Sequence, residues 1–418
     1  MSKFKKSVVF LVSTVLLLPT SAGFADTINL SLQDAIEGAV SADLIADGMQ
    51  DSIDDLWKQH DSALKGKQQV EKSLSSYESF ILLHEKFEED GILSASDQTK
   101  YKILQATWGK TPPVYTKEKM FTTFIEPRDF GHYALWTEIQ KLKNSEKTVL
   151  DSIEVGVKEL YNQTLNLTET VEAQRLYTEI VSRQYEEAKV KYELGQVSEI
   201  DHNSALVSKQ IQDLEMQKLE RNLFNLERSL MDMARVNVSS DLELASVNLS
   251  LPAVRIKSYA EALEQAMANR TEVVNAKLGL DTEQRESDIM LEYITNNLTS
   301  KRLDQDVALL EAKDAYASAV ESVTVDVYTA WNALEEAKSD YELASKQYKN
   351  VRQSYLEAKK SYSLGLINET TLMLSEFDQM MKLNTLKAKL RQYSLVNEKL
   401  ELAISSGPAY QQNGGMSQ

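Results

Sequence analysis

No proline interrupts the chain between Pro127 and Pro252, or again between Pro252 and Pro408. Both stretches are rich in Ala, Glu, Lys, Leu and Gln, which lose little side-chain freedom in a helix, and neither contains a residue that must break one. Helices of such length with few internal caps predict coiled coil rather than compact globules. The 418-residue chain is therefore read as all-α. It should form two tandem repeats of long antiparallel coiled-coil hairpins, an elongated helical bundle or barrel subunit with little or no β.

Self-comparison supports two repeats. The segment from Tyr185 to Glu199 aligns without a gap on the segment from Tyr355 to Glu369, 170 residues further on, with eight of fifteen positions identical. Tyr, Leu-Gly and Glu match together, which shared helical composition alone would not produce. Upstream, Tyr161 meets Trp331, Asn162 meets Asn332 and Val181 meets Val351 in the same register. A second landmark opens each half: Ser31-Leu-Gln-Asp-Ala-Ile-Glu-Gly-Ala and Ser258-Tyr-Ala-Glu-Ala-Leu-Glu-Gln-Ala stand 227 residues apart. The first half is thus longer by 57 residues, and this surplus is expected mainly within 90–136. That segment concentrates Gly91, Gly109, Pro112, Pro113, Pro127 and Gly131 with Trp108, Tyr115, Phe121, Phe124, Phe130 and Trp136. It is the one stretch with room for a short strand pair, around Val114-Tyr115 and 121–125, although its aromatics packing on the helices is the plainer reading. The expected organisation is 1–25 signal, 26–250 first repeat with the insert, 251–407 second repeat and 408–418 tail.

The helix before the second tip carries a seam of Leu334, Ala337, Tyr341, Ala344, Tyr348, Val351, Tyr355, Ala358 and Tyr362 at steps of three and four, the signature of left-handed supercoiling. Large Tyr alternating with Ala or Val lets a bulky side chain enter a hole lined by small ones. The descending helix has its own seam at Leu383, Leu386, Leu390, Tyr393, Leu400 and Ile404, interrupted by Asn397. Between them, Gly365 is placed to end one helix in a left-handed turn, and Asn368 to cap the next. Gly195 and Ser198 do the same in the first repeat. A single helix over 301–362 would be about 90 Å long; so slender a rod needs the other repeat, and other subunits, to bury its faces.

Residues 1–25 read as an export signal: Lys3, Lys5 and Lys6, an apolar run from Val8 to Leu18, then Gly23-Phe24-Ala25. The net charge of −17 opposes nucleic acid and anionic lipid as partners. Cysteine is absent, so stability has to come from helix packing and not from disulfides. His60, His84, His132 and His202 are scattered without metal-ligand spacing, and no nucleophile, phosphate-loop or dinucleotide motif occurs. No cofactor is expected, and the chain is read as something other than an enzyme.

In these features the sequence resembles the TolC-like outer membrane efflux protein family over nearly its whole length after the signal. The resemblance is carried by the Leu-x-x-Ala-Ile opening of the first half and its counterpart in the second, by Ala268-Asn-Arg-Thr-Glu272, by the linker ending at Pro252, and by the paired Tyr-x-x-Gly tips. It implies a homotrimer whose repeats build a hollow helical barrel, with a periplasmic-adaptor-like protein and an inner-membrane pump as partners. It makes Leu194, Gly195, Gln196, Val197, Leu364, Gly365, Leu366 and Ile367 the adaptor-docking tips. The family often narrows its pore with acids just past the tip. Asp201 falls at such a position, whereas the second repeat has Thr371 there, with Glu369 and Glu376 nearby.

The family also places two strands in each repeat, pooled between subunits into an outer-membrane barrel. A spanning strand needs about 9–11 residues. The second repeat lacks that room, and the first holds at most one irregular pair, so no ordinary barrel is expected. Two readings stand: the exported conduit of a multi-part efflux or secretion system, or a non-conducting envelope structural or adaptor protein built on the same hairpins.

Overall fold

The computed structural model describes residues 27–41, 43–238, 240–245, 250–295 and 299–407. The expected signal, the C-terminal tail and the turn at Asn296-Asn297 lie outside them. The first half runs β1 (Thr27–Leu30), α1 (Leu32–Ser41), α2 (Leu44–Asp90), α3 (Ala95–Trp108), α4 (Lys117–Met120), a π-helix (Phe121–Phe130), α5 (Gly131–Glu193), α6 (Glu199–Met233) and β2 (Asp241–Leu244). The second half runs α7 (Tyr259–Asn269), α8 (Thr271–Tyr293), α9 (Ser300–Ser363) and α10 (Glu369–Ala403). The all-α expectation holds. The described strands are only β1 and β2, four residues each and paired in parallel.

α5 and α9 are the two long struts, of 63 and 64 residues. α6 folds back along the distal part of α5, and α10 along that of α9, each over 35 residues. α5 also packs on α10, so the distal half is a curved layer in the order α6, α5, α10, α9. In the proximal half α2 and α8 take the places of α6 and α10. The predicted seam is present: Leu334, Ala337 and Ala344 are buried, and only towards the tip does it open, with Tyr362 exposed. Asn397 is buried within the descending seam, as its position suggested.

Two cores sit where hairpins and short helices meet, and related positions build both. Ala35 and Ala39 of α1 occupy one core, Ala262 and Ala266 of α7 the other. Val157, Tyr161 and Leu230 in the first face Val327, Trp331 and Leu400 in the second. Alanine at the α1 and α7 positions lets a short helix lie close on a long one. In the first core the Tyr161 hydroxyl lies 3.0 Å and 2.8 Å from the carbonyls of Leu30 and Ala245, tying the parallel strand pair to α5.

The second core is anchored by a charge. Arg270, in the turn between α7 and α8, has no exposed side-chain surface. It donates to both carboxylate oxygens of Glu272, to Asp326 of α9 at 2.8 Å, and to the Ala403 carbonyl at the end of α10 at 2.8 Å. Arginine of the Asn-Arg-Thr-Glu run thus closes α7, α8, α9 and α10 together, since a planar guanidinium can serve several fixed acceptors at once.

The insert differs from its expectation in two ways. First, the surplus does not begin at residue 90. α2 has 47 residues where α8 has 23, so the first half departs from the second inside α2, and the added unit spans roughly 67–130. Second, 121–125 is no strand. The segment is π-helical, and Val114-Tyr115 is irregular chain. Pro127 explains the wide turn: it has no N–H to bond back to the fourth preceding carbonyl, and its ring crowds that carbonyl in an α-helix. The aromatics pack inward, as the plainer reading had it. Tyr77 contacts Trp108, Tyr115 and Phe124 with ring centroids 5.1–6.0 Å away, while Phe121, Phe124 and Ile125 share a core with Met290 and Ile294. The result is a helical cap on the proximal end.

Candidate functional site

The end opposite the cap is made by the two hairpin tips. Local chemistry makes each one. Gly195 has φ +69° and Gly365 φ +71°, left-handed values that cost a side-chain-bearing residue about 1–2 kcal/mol. The Gln196 amide bonds back to the Lys191 carbonyl and the Leu366 amide to the Ser361 carbonyl, at 2.8 Å and 2.9 Å, so both helices end in the same closed turn. The next helices start on caps: Ser198 accepts from the Asp201 amide, and Asn368 from the Thr371 amide. The tight turns push their apolar side chains outward. Leu194 is 66% exposed, Leu364 64% and Leu366 72%; Gln196 is also exposed, and Val197 and Ile367 are half-buried beneath them.

The candidate acids are held in different ways. Asp201 completes a capping box, its carboxylate accepting from the Ser198 amide at 3.3 Å and hydroxyl at 2.7 Å. Glu369 accepts from Arg183 of α5 at 2.8 Å. Glu376 is exposed on α10. Sequence reasoning missed Arg183, whose other nitrogen donates to Glu179 at 2.8 Å; its only signal is its place one turn before the matching Tyr185 segment. These groups line an open cleft of about 920 Å³ between the tips, walled by Glu186, Glu187, Val190 and Lys191 of α5 and by Asn368 and Thr370 at the start of α10. Behind it, Tyr177 of α5 stacks on Phe377 of α10 at 4.8 Å.

Further from the tips, a buried ion cluster fixes how the hairpins lie on each other. Glu169 of α5 accepts from Arg391 of α10 through both oxygens at 2.6 Å and 2.9 Å, and from Lys387 at 3.0 Å. Arg391 also donates to Asn166. Burial pushes the Glu169 pKa up, but the hydrogen bonds and charges of Arg391 and Lys387 outweigh it and leave the pKa below the usual carboxylate value. Among the described residues no group of three or more metal-ligating side chains occurs, and no helix is long and apolar enough to cross a membrane.

No protein-family profile matches the sequence, and no curated protein matches it. The fold does match solved structures. The outer membrane protein VceC of Vibrio cholerae is 12% identical, with 90% of this chain and 96% of that one aligned at a TM-score of 0.52. The MtrE outer membrane channel of Neisseria gonorrhoeae, in its open state, is 13% identical over 90% of each chain, TM-score 0.54. A membrane protein from Pseudomonas aeruginosa is 9% identical over 91% of this chain and 92% of that one, TM-score 0.55. The chain has a TolC-like fold. Alignment over nine-tenths of its length means that the TolC-like architecture takes in both hairpins and both halves, not one coiled coil alone. At identities this low the likeness is one of fold.

Proposed function

We propose that this TolC-like chain is the exported conduit of a multi-part efflux or secretion system in the cell envelope. It is a transport component and not an enzyme. Three copies close into a hollow helical ring, the tips 194–197 and 364–367 dock a periplasmic-adaptor-like protein, and an inner-membrane pump lies beyond it. Asp201, Glu369 and Glu376 stand beside the tip opening.

The observation that supports this reading most is the pair of apolar stripes left on the two flanks of the helical layer. α6 exposes Ile200, Val207, Ile211, Leu214 and Phe224; α9 exposes Leu303, Val307, Leu310, Val325 and Tyr328. Steps of three, four and seven put each set on one helix face. Lone chains rarely expose such continuous apolar surface. One flank of one copy set against the other flank of the next gives a head-to-tail contact, which closes on itself as a ring. The proximal cap, helical throughout, occupies the part of the chain where the family resemblance would place strands.

Mass in solution tests the ring. A trimeric mature protein in mild detergent or buffer is expected; a strict monomer at high concentration would favour the non-conducting envelope protein instead. Gly365→Val tests docking. Export should fail while helix content and oligomer mass stay unchanged, and undiminished export would remove the tips from the docking surface.

A further inference from the structure

Two of the four histidines meet only in the folded chain. His60 of α2 and His132 in the first turn of α5 have ring centroids 6.4 Å apart. In both rings Nδ1 is buried and has no hydrogen-bond partner. Trp57 closes the site edge-on against His60 at 5.3 Å, and Lys143 of α5 lies over the Trp57 ring at 5.2 Å. The place is mechanically special. α2 leads from His60 into the cap, and the π-helix containing Pro127 returns the chain to His132, so the pair spans both connections between cap and hairpins. A π-helix has poorer hydrogen bonding than the α-helices around it and yields first.

The charges facing the pair are mostly positive. α2 contributes Lys67 and also Asp61, whose carboxylate is 3.9 Å from His60. α8 contributes Arg285, whose guanidinium lies 4.5 Å over the Tyr133 ring. The π-helix contributes Asp129, but Arg128 engages both of its oxygens. A cation formed at His132 would therefore be buried beside Lys67 and Arg285 without a free carboxylate to meet it, at a cost that a solvated imidazole does not bear.

We propose that His132, set against His60, is a proton-operated release for the neck: taking up a proton loosens the α2–α5 contact and frees the cap from the conduit body. The direction follows from the environment. Burial first, then Lys67, His60 and Arg285, hold the His132 pKa below its ordinary 6.5. The unfolded or opened state thus binds the proton more readily than the closed one. The stabilisation is complete above pH 6.5 and is lost as pH falls through the interval below it.

Amide hydrogen exchange on the full mature chain tests this, with protection corrected for intrinsic exchange. Between about pH 7.5 and about pH 5.5, protection at 55–66 and 125–140 should fall about tenfold relative to the α5–α6 hairpin near Gly195. His132→Gln should abolish the difference. His84→Gln, inside the cap where His84 bonds Tyr101 at 2.6 Å, should retain it. Neck protection that tracks the hairpin across the pH range in the wild type overturns the proposal, and this comparison within one molecule decides even if a variant misfolds. An undiminished neck response in His132→Gln overturns it equally.

Discussion

Arg183 of α5 donates to Glu369 of α10 at 2.8 Å, so an ion pair joins the tip of one hairpin to the tip of the other. Both side chains are substantially exposed, and such a pair adds little to global stability. Its effect is local. Glu369→Gln should broaden and lengthen the distance between spin labels at positions 194 and 366, with no change in the thermal midpoint. An unaltered distance distribution would show that the Tyr177–Phe377 stack and the helices behind it hold the tips without this pair.

Arg270 poses the opposite case. Its guanidinium is fully buried and contacts four acceptor atoms on three partners. Arg270→Ala leaves Glu272, Asp326 and the Ala403 carbonyl without their donor, and should cost about 3 kcal/mol of stability. Arg270→Lys should recover little, because an ammonium cannot reproduce the fork. Urea unfolding of the three proteins checks both statements; a lysine variant as stable as the wild type would contradict the geometric argument.

Glu169 gives a pH signature. Its folded pKa is lowered below 4.5 despite burial, through Arg391 and Lys387. The unfolded chain therefore takes up a proton that the folded chain resists. The stabilisation is present above pH 4.5 and lost as pH falls through the interval beneath it. Glu169→Gln should flatten this acid limb of the stability curve and cost about 3 kcal/mol at neutral pH, since Arg391 stays buried without its carboxylate. Denaturant midpoints measured from acid to neutral pH read both effects.

Two glycines separate packing from propensity. A Cβ on Gly38 of α1 would stand 2.1 Å from the Ala234 carbonyl oxygen, whereas one on Gly48 of α2 meets nothing within 4 Å. Gly38→Ala should lower stability by about 2 kcal/mol through forced separation of α1 from the end of α6. Gly48→Ala should raise it by about 0.5–1 kcal/mol through helix propensity alone. Calorimetry on the pair gives shifts of opposite sign if the close approach is real.

The parts of this molecule legible in its residues were those set by neighbours in sequence. Proline spacing located the long helix now seen at Ser300–Ser363, within a residue of the expected 301–362. Gly195 and Gly365 marked the turns because only a left-handed residue ends a helix so tightly. The insert was harder. Its Gly and Pro content marked an interruption near 109–131, but Asp90 looked like its start because Gly91 does end a helix there. That helix had already outrun its counterpart by some two dozen residues, and a continuous helical pattern gives no sign of where its partner stops. The π-helix was equally hidden, since Phe121, Phe124 and Ile125 alternate much as a short strand would.

The sequence by itself determined helix, turn and seam: proline-free runs, apolar steps of three and four, and a glycine at each tip act over a few residues, where the chain cannot avoid its own neighbours. Only the tertiary structure decided which hairpin lies against which, and so brought Arg183 to Glu369, Arg391 to Glu169 and His60 to His132. Those meetings depend on the axial register of struts more than sixty residues long. That register is set by the sum of many weak contacts along the layer, and no single local pattern encodes it.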